Sequence, residues 1–270
     1  MVERLDRIWF NAVSIVLAAA PFVFAGAFVA FVVNRLRLRS AAALLAAALA
    51  PGCDCSINGF VSVLARSPAP LAGAAIVWGA ACNPIALATT VTVFGWRLAI
   101  ARAAGSAAAA ITIWFAWRFM RVEWLARGRT SFEPSSGVHE LCPVDEGVAA
   151  HLEGGLRALL PAALLGASIP ALVAGRLPAN APPVVAALLG AALSPCSSAD
   201  PVLASVFARE AAAQAAFMTA SQCVDVRLLA IVYRHFGPHR TLLAAIAGAL
   251  GCASAALVAT ALSTVAPVTR

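Results

Sequence analysis

Long apolar runs separated by short polar clusters set the pattern of this 270-residue chain. A helix needs about 20 residues to cross a hydrocarbon core. On that measure the pattern predicts membrane segments at about 8–33, 41–65, 69–94, 98–120, 156–176, 183–208, 211–233 and 241–265. The long polar stretch lies between the fourth and fifth segments, at 121–155, RVEWLARGRTSFEPSSGVHELCPVDEGVAAHLEGG. It holds six of the twelve acids and two of the four histidines, and it is expected to be an aqueous connecting loop. The division predicted is 1–120 as a first membrane repeat, 121–155 as the loop, and 156–270 as a second membrane repeat.

Two segments are interrupted by residues that break helices. The second contains PGCDCS at 51–56 and the sixth contains SPCSSADP at 194–201. Pro and Gly disrupt a helix interior. Asp200-Pro201 reads as a restart, with Asp at an N-cap and Pro at the first helical position. Adding 143 to the first break places it on the second. Cys53 then meets Cys196, Ser62 meets Ser205, Val63 meets Val206 and Arg66 meets Arg209. Further on, Cys82 meets Cys223 at a shift of 141, and Phe94-Gly95 meets Phe236-Gly237 at 142. We read a tandem repeat of four segments each. If the broken segments cross fully, each half has four crossings and the repeats run parallel. If they re-enter, each half has three crossings and the repeats are inverted.

Composition supports a membrane setting. Hydrophobic residues make up 62% of the chain and charged residues 11%, far below the roughly 25% of soluble domains. The mean hydropathy is +0.89. The fold class expected is an all-α integral membrane protein with discontinuous second and sixth helices. A barrel is excluded because its strands alternate apolar and polar residues. The net charge of +7 comes entirely from arginine, since lysine is absent, and it belongs to clusters flanking spans rather than to a nucleic-acid surface. The run at 8–33 is too long for a signal h-region of roughly 7–15 residues and is expected to remain as a span. Multi-pass insertion in the inner (plasma) membrane is expected. The seven cysteines lie mostly in apolar segments, which is not a secreted disulfide framework.

Matched interrupted segments point to a transporter's site, because lipid leaves the freed backbone groups of a broken helix unsatisfied. Asp54, Asp200 and Asp225 stand in apolar segments, where a carboxylate costs about 2.5–3.5 kcal/mol. Each lies within four residues of a cysteine. Helix capping competes as a role for Asp200, and pairing with Arg227 competes for Asp225. Thiolates suit soft metals and metalloids, so Cys53, Cys55 and Cys196 are candidate metal ligands, with hydrophobic packing as the competing role. The candidate substrate-binding set is Cys53, Asp54, Cys55, Ser56, Asn83, Cys196, Ser197, Ser198, Asp200, Cys223 and Asp225. Asn83-Pro84 adds a helix break in the third segment, and Gln222 offers an amide at the matching place in the seventh. No Walker A, G-x-S-x-G, H-E-x-x-H or dinucleotide fingerprint occurs, so no enzyme activity and no cofactor are expected.

PGCDCSINGFVSVLAR and SPCSSADPVLASVFAR resemble the two motifs of a family of predicted bacterial permeases that includes organoarsenical efflux permeases of the ArsP type. The resemblance implies eight spans and a permease role, and it points to Cys53, Cys55 and Cys196 in handling a trivalent, thiol-seeking substrate. Asp54 departs from the small residue usual between the cysteines, and Asn58-Gly59 from a common proline. The expected function is translocation of a small solute, with a thiophilic metal or metalloid as the leading class. Uptake of a small sulfur oxyanion and a non-transporting membrane subunit are the alternatives. The partners expected are the lipid bilayer, a small solute or ion, and either further copies of the chain or a partner membrane subunit.

Overall fold

A computed structural model describes residues 68–126, 181–193, 197 and 199–265, together with isolated helical positions between 9 and 32. Eight helices occur among the described residues and no β-strand does. They are α1 (Ala69–Cys82), α2 (Pro84–Phe94), α3 (Trp96–Ala126), α4 (Pro183–Leu193), α5 (Asp200–Phe207), α6 (Ala211–Cys223), α7 (Val226–Phe236) and α8 (Pro238–Val265).

The third predicted segment is two half-helices. Pro84 has no N–H to continue α1 and pushes the preceding residue to an extended backbone. Asn83 accordingly sits at φ −62°, ψ 154°. Its Oδ1 accepts from Ala86 N at 2.8 Å and restarts the chain as α2. The seventh predicted segment breaks in the same manner without proline. Asp225 sits at φ −65°, ψ 150°, and its Oδ1 accepts from Leu228 N at 2.7 Å to start α7. This second break was not among those expected from sequence.

The two stretches correspond at a shift of 142, cap to cap. Asn83 and Asp225 hold the same role, and so do Gly95 and Gly237, which close α2 and α7. These glycines have φ of 83° and 84°. Their N–H groups bond Val91 O and Tyr233 O at 2.8 and 3.0 Å. A positive φ is nearly free for glycine and strained for other residues, so glycine is required where each chain turns into the long helix that follows. The position matching Asn83 is thus Asp225, not Gln222.

Loss of a cap costs about 1 kcal/mol. Asn83→Ala and Asp225→Ala are each expected to lower stability by about that amount in thermal unfolding of the detergent-solubilised protein. Asp225→Asn keeps the accepting oxygen and is expected to stay within a few tenths. Equal losses in Asp225→Asn and Asp225→Ala would show that charge, not capping, is the role of this side chain.

Among the described residues, three stretches are long and apolar enough to cross a membrane: Ala69–Phe94, interrupted at Asn83, Trp96–Phe119, and Pro238–Thr264. The long helices α3 and α8 pack on each other, α1 and α2 pack on α3, and α6 and α7 pack on α8. Where α3 meets α8 the contact is made by small residues. A Cβ at Gly105 would lie 2.6 Å from both Ala255 Cβ and Gly251 O, and one at Gly251 would lie 2.7 Å from Gly105 O. Such approach is how helices gain contact where lipid is as apolar as the side chains. A cluster of Ile76, Val77, Ile113, Trp117, Leu228 and Val232 fills the space between α1, α3 and α7. A second cluster of Leu193, Phe207, Phe217 and Met218 joins α4, α5 and α6.

Candidate functional site

The breaks between half-helices lie beside a buried polar network. Its centre is Arg102, in the second turn of α3 and fully buried. Nη1 donates to Asp200 Oδ1 and Nη2 to Asp200 Oδ2, each at 2.9 Å. This is the two-point fork that a planar guanidinium forms with a carboxylate. Nη1 also donates to Thr90 Oγ1 at 3.0 Å, and Nε to Ala81 O at 2.8 Å. Thr90 passes its own hydrogen to Ala86 O at 2.6 Å. Ser221 Oγ donates to Asp200 Oδ2 at 3.1 Å, with Met218 O also within reach at 2.9 Å.

The local folding explains why these groups meet. Ending α1 at Cys82 frees the carbonyls of its last turn. Asn83 Nδ2 reaches Ala80 O at 3.3 Å, and Arg102 takes Ala81 O. A cation at a helix C-terminus and an anion at a helix N-terminus are both favoured by the backbone dipoles. Arg102 stands at the end of α1, and Asp200 in the first turn of α5. The ion pair therefore joins two half-helix ends of opposite polarity. Each partner is 0% exposed. Removing both charges from water carries a desolvation penalty that a pair in apolar surroundings does not readily offset, so stability alone is a weak reason for its presence.

Asp200 does not cap its helix as its sequence suggested. The N-cap of α5 is Ala199, and no side chain caps it. Asp200 is one residue inside, and its carboxylate is committed to Arg102 and Ser221. Asn83 joins the neighbourhood through Nδ2, which donates to Ser197 Oγ at 3.3 Å. Both Asn83 and Ser197 are buried. Asp225 is occupied as a cap through Oδ1, while its buried Oδ2 has no hydrogen-bond partner among the described residues. Cys223 is the last residue of α6, buried as Cys82 is at the end of α1, and both thiols lie beside Ser106. Gln222 is buried, and its Nε2 lies 3.4 Å from Ser221 Oγ.

Of the candidate residues, the structure brings Asn83 and Ser197 together, and ties Asp200 to a residue outside the set. Cys53, Asp54, Cys55, Ser56, Cys196 and Ser198 lie outside the described residues. Among the described residues no group of three His, Cys, Asp or Glu side chains is arranged to hold a metal. Arg102, with Thr90 and Ser221, is what sequence reasoning missed. The signal was present: an arginine inside a predicted span, with apolar residues on both sides. An open apolar groove of about 290 Å³ between α4, α6 and α8, lined by Val184, Leu188, Ala220, Val224 and Cys252, contains none of the network. The network converges charge, whereas the groove offers apolar surface only, so the network is the candidate site.

The described chain is an all-helical membrane protein by the length and apolarity of its three candidate spans. No family model matches the chain, and none of the curated proteins or solved structures does.

Proposed function

We propose that the chain is a multi-pass permease of the inner (plasma) membrane, built from two repeats, 1–120 and 156–270, joined by the polar loop 121–155. A small solute passes through the polar centre where half-helices meet. The observation that carries this reading is the fully buried Arg102–Asp200 pair at the ends of interrupted helices. Charged residues inside membrane bundles are expensive and mark pathways, and interrupted helices supply the site in transporters. The matched caps at Asn83 and Asp225, and at Gly95 and Gly237, support the repeat.

The leading substrate class is a thiophilic metal or metalloid, held by Cys53, Cys55 and Cys196, as the resemblance to organoarsenical permeases implies. Cells expressing the protein are expected to extrude arsenite, and Cys53→Ser, Cys55→Ser and Cys196→Ser each to lower that efflux about tenfold or more, the scale of changes to a ligand shell. Unchanged efflux in all three variants, with wild-type amounts of protein in the membrane, removes the cysteines from the site. One observation favours the second reading, a small sulfur oxyanion. Arg102 brings a permanent positive charge to the network, and positive charge recognises anions. A non-transporting membrane subunit is the outcome if reconstituted protein moves neither class of solute.

A further inference from the structure

We propose that Arg102 is an anion-binding residue whose site is filled here by the carboxylate of Asp200, and that a small oxyanion takes that place when Asp200 accepts a proton. The proposal rests on the permease reading in its oxyanion form and deepens it by naming the residue that binds the anion and a proton coupled to it.

The first support is geometric. Asp200 presents two oxygens to Nη1 and Nη2 at equal distances of 2.9 Å. A carboxylate, sulfite or thiosulfate ion offers the same two-oxygen edge to a guanidinium. Ser221 already donates to that edge at 3.1 Å, and Ala81 O and Thr90 Oγ1 hold the guanidinium from behind at 2.8 and 3.0 Å. The cation is thus anchored by two bonds that do not depend on Asp200. Four of its five N–H groups are engaged, two of them by the carboxylate. Those two are the ones an incoming anion would use.

The second support is charge balance. Arg102 and Asp200 are both 0% exposed. Among the described residues, the groups that face them are Ala81 and Cys82 from α1, Thr90 from α2, and Ser221, Gln222 and Cys223 from α6. α4, which packs on α5, carries no titratable residue. None of these neighbours is an ionised carboxylate or a second cation. The guanidinium does not deprotonate in proteins. Among the described residues, a proton on Asp200 therefore leaves one positive charge without a counter-charge in a site shielded from water, and an anion restores neutrality. The proton goes to a carboxylate oxygen of Asp200, and the anion goes to Nη1 and Nη2. Each event then favours the other, and by linkage the effect is reciprocal.

The third support is position. The pair joins residues 98 apart, one on α3 and one on α5, in the two proposed repeats. Exchange of Asp200 for a free anion unties these helices while leaving the guanidinium satisfied. One binding event would then both load the site and release a tie between the halves.

The test is thiosulfate and formate binding to the full-length protein in lipid nanodiscs, by titration calorimetry at about pH 5.5 and about pH 7.5. Wild type is expected to bind at least about tenfold more tightly at the lower pH. Asp200→Asn imitates the protonated acid. It is expected to bind at least about tenfold more tightly than wild type at about pH 7.5, with little remaining pH dependence. Arg102→Gln placed on Asp200→Asn is expected to lose that gain. The proposal is overturned if Asp200→Asn binds neither anion more tightly than wild type, or if the gain survives loss of Arg102. If Asp200→Asn does not yield folded protein, the wild-type pH series decides alone, and equal affinity at both values overturns it. Anion binding without transport by reconstituted protein would fail the permease reading only. Transport of a solute with no anion binding would fail this inference only.

Discussion

Asp200→Leu is expected to be among the most damaging single substitutions in the described part of the molecule, and more damaging than Arg102→Met. Removing one partner of a buried ion pair typically costs about 3–5 kcal/mol, because the other charge is left without compensation. The two losses are not equivalent. A stranded carboxylate can neutralise itself by taking up a proton. A stranded guanidinium cannot shed one, and among the described residues Arg102 would keep only Ala81 O and Thr90 Oγ1 as acceptors. The double replacement Arg102→Met with Asp200→Leu is expected to recover most of the loss, since well-packed apolar residues often replace a buried pair without cost. Thermal unfolding of the four proteins in detergent forms a double-mutant cycle. Additive losses would show that the pair is not coupled and would remove the ion pair from the account of the site. Recovery of stability without recovery of transport would separate what the pair does for the fold from what it does for function.

Gly105→Leu is expected to disrupt the packing of α3 on α8, with a loss of about 3 kcal/mol or more. The obstruction is backbone. The first added carbon would already stand 2.6 Å from Gly251 O and Ala255 Cβ, and 3.2 Å from Ala255 Cα. No side-chain rotation relieves such a clash, so the helices must separate. Separation would also open the small-residue contact among Ala101, Ala255 and Ala259. Gly95→Leu is the informative contrast. Nothing lies within 4 Å of a Cβ at Gly95, and the strain there is the positive φ alone, worth about 1–2 kcal/mol. A larger loss at Gly95 than at Gly105, by the same thermal measurement, would contradict the close approach of α3 and α8.

Much of the local architecture was legible in the chain. The third and eighth segments were placed by their apolar length, and Asn83-Pro84 marked a helix break because proline leaves no choice. The Phe94-Gly95 and Phe236-Gly237 match was legible as part of the repeat, while the fold shows these glycines at positive φ, a backbone that only glycine adopts without strain. The break at Val224-Asp225 was hidden, because an aspartate cap without proline also reads as a polar residue within a helix. Asp200 was legible as a candidate, but the capping role offered for it is not the one it takes. An Asp before a proline looks like a cap, and only the fold brings Arg102 within 2.9 Å of it.

What the sequence determined by itself, then, is the material and its punctuation. Apolar length dictates helices in lipid, because backbone groups there must bond within their own segment, and Pro, Gly and short acids dictate where those helices stop and restart. What only the tertiary structure decided is which polar groups share a site. Hydropathy and capping act over a few residues and are written locally. The partners of Arg102 come from positions 81, 90 and 200, and packing of α1 and α2 on α3, and of α5 on α2 and α6, sets their convergence. A buried charge is tolerated only where such packing supplies its counter-charge, and no local pattern states where that will be.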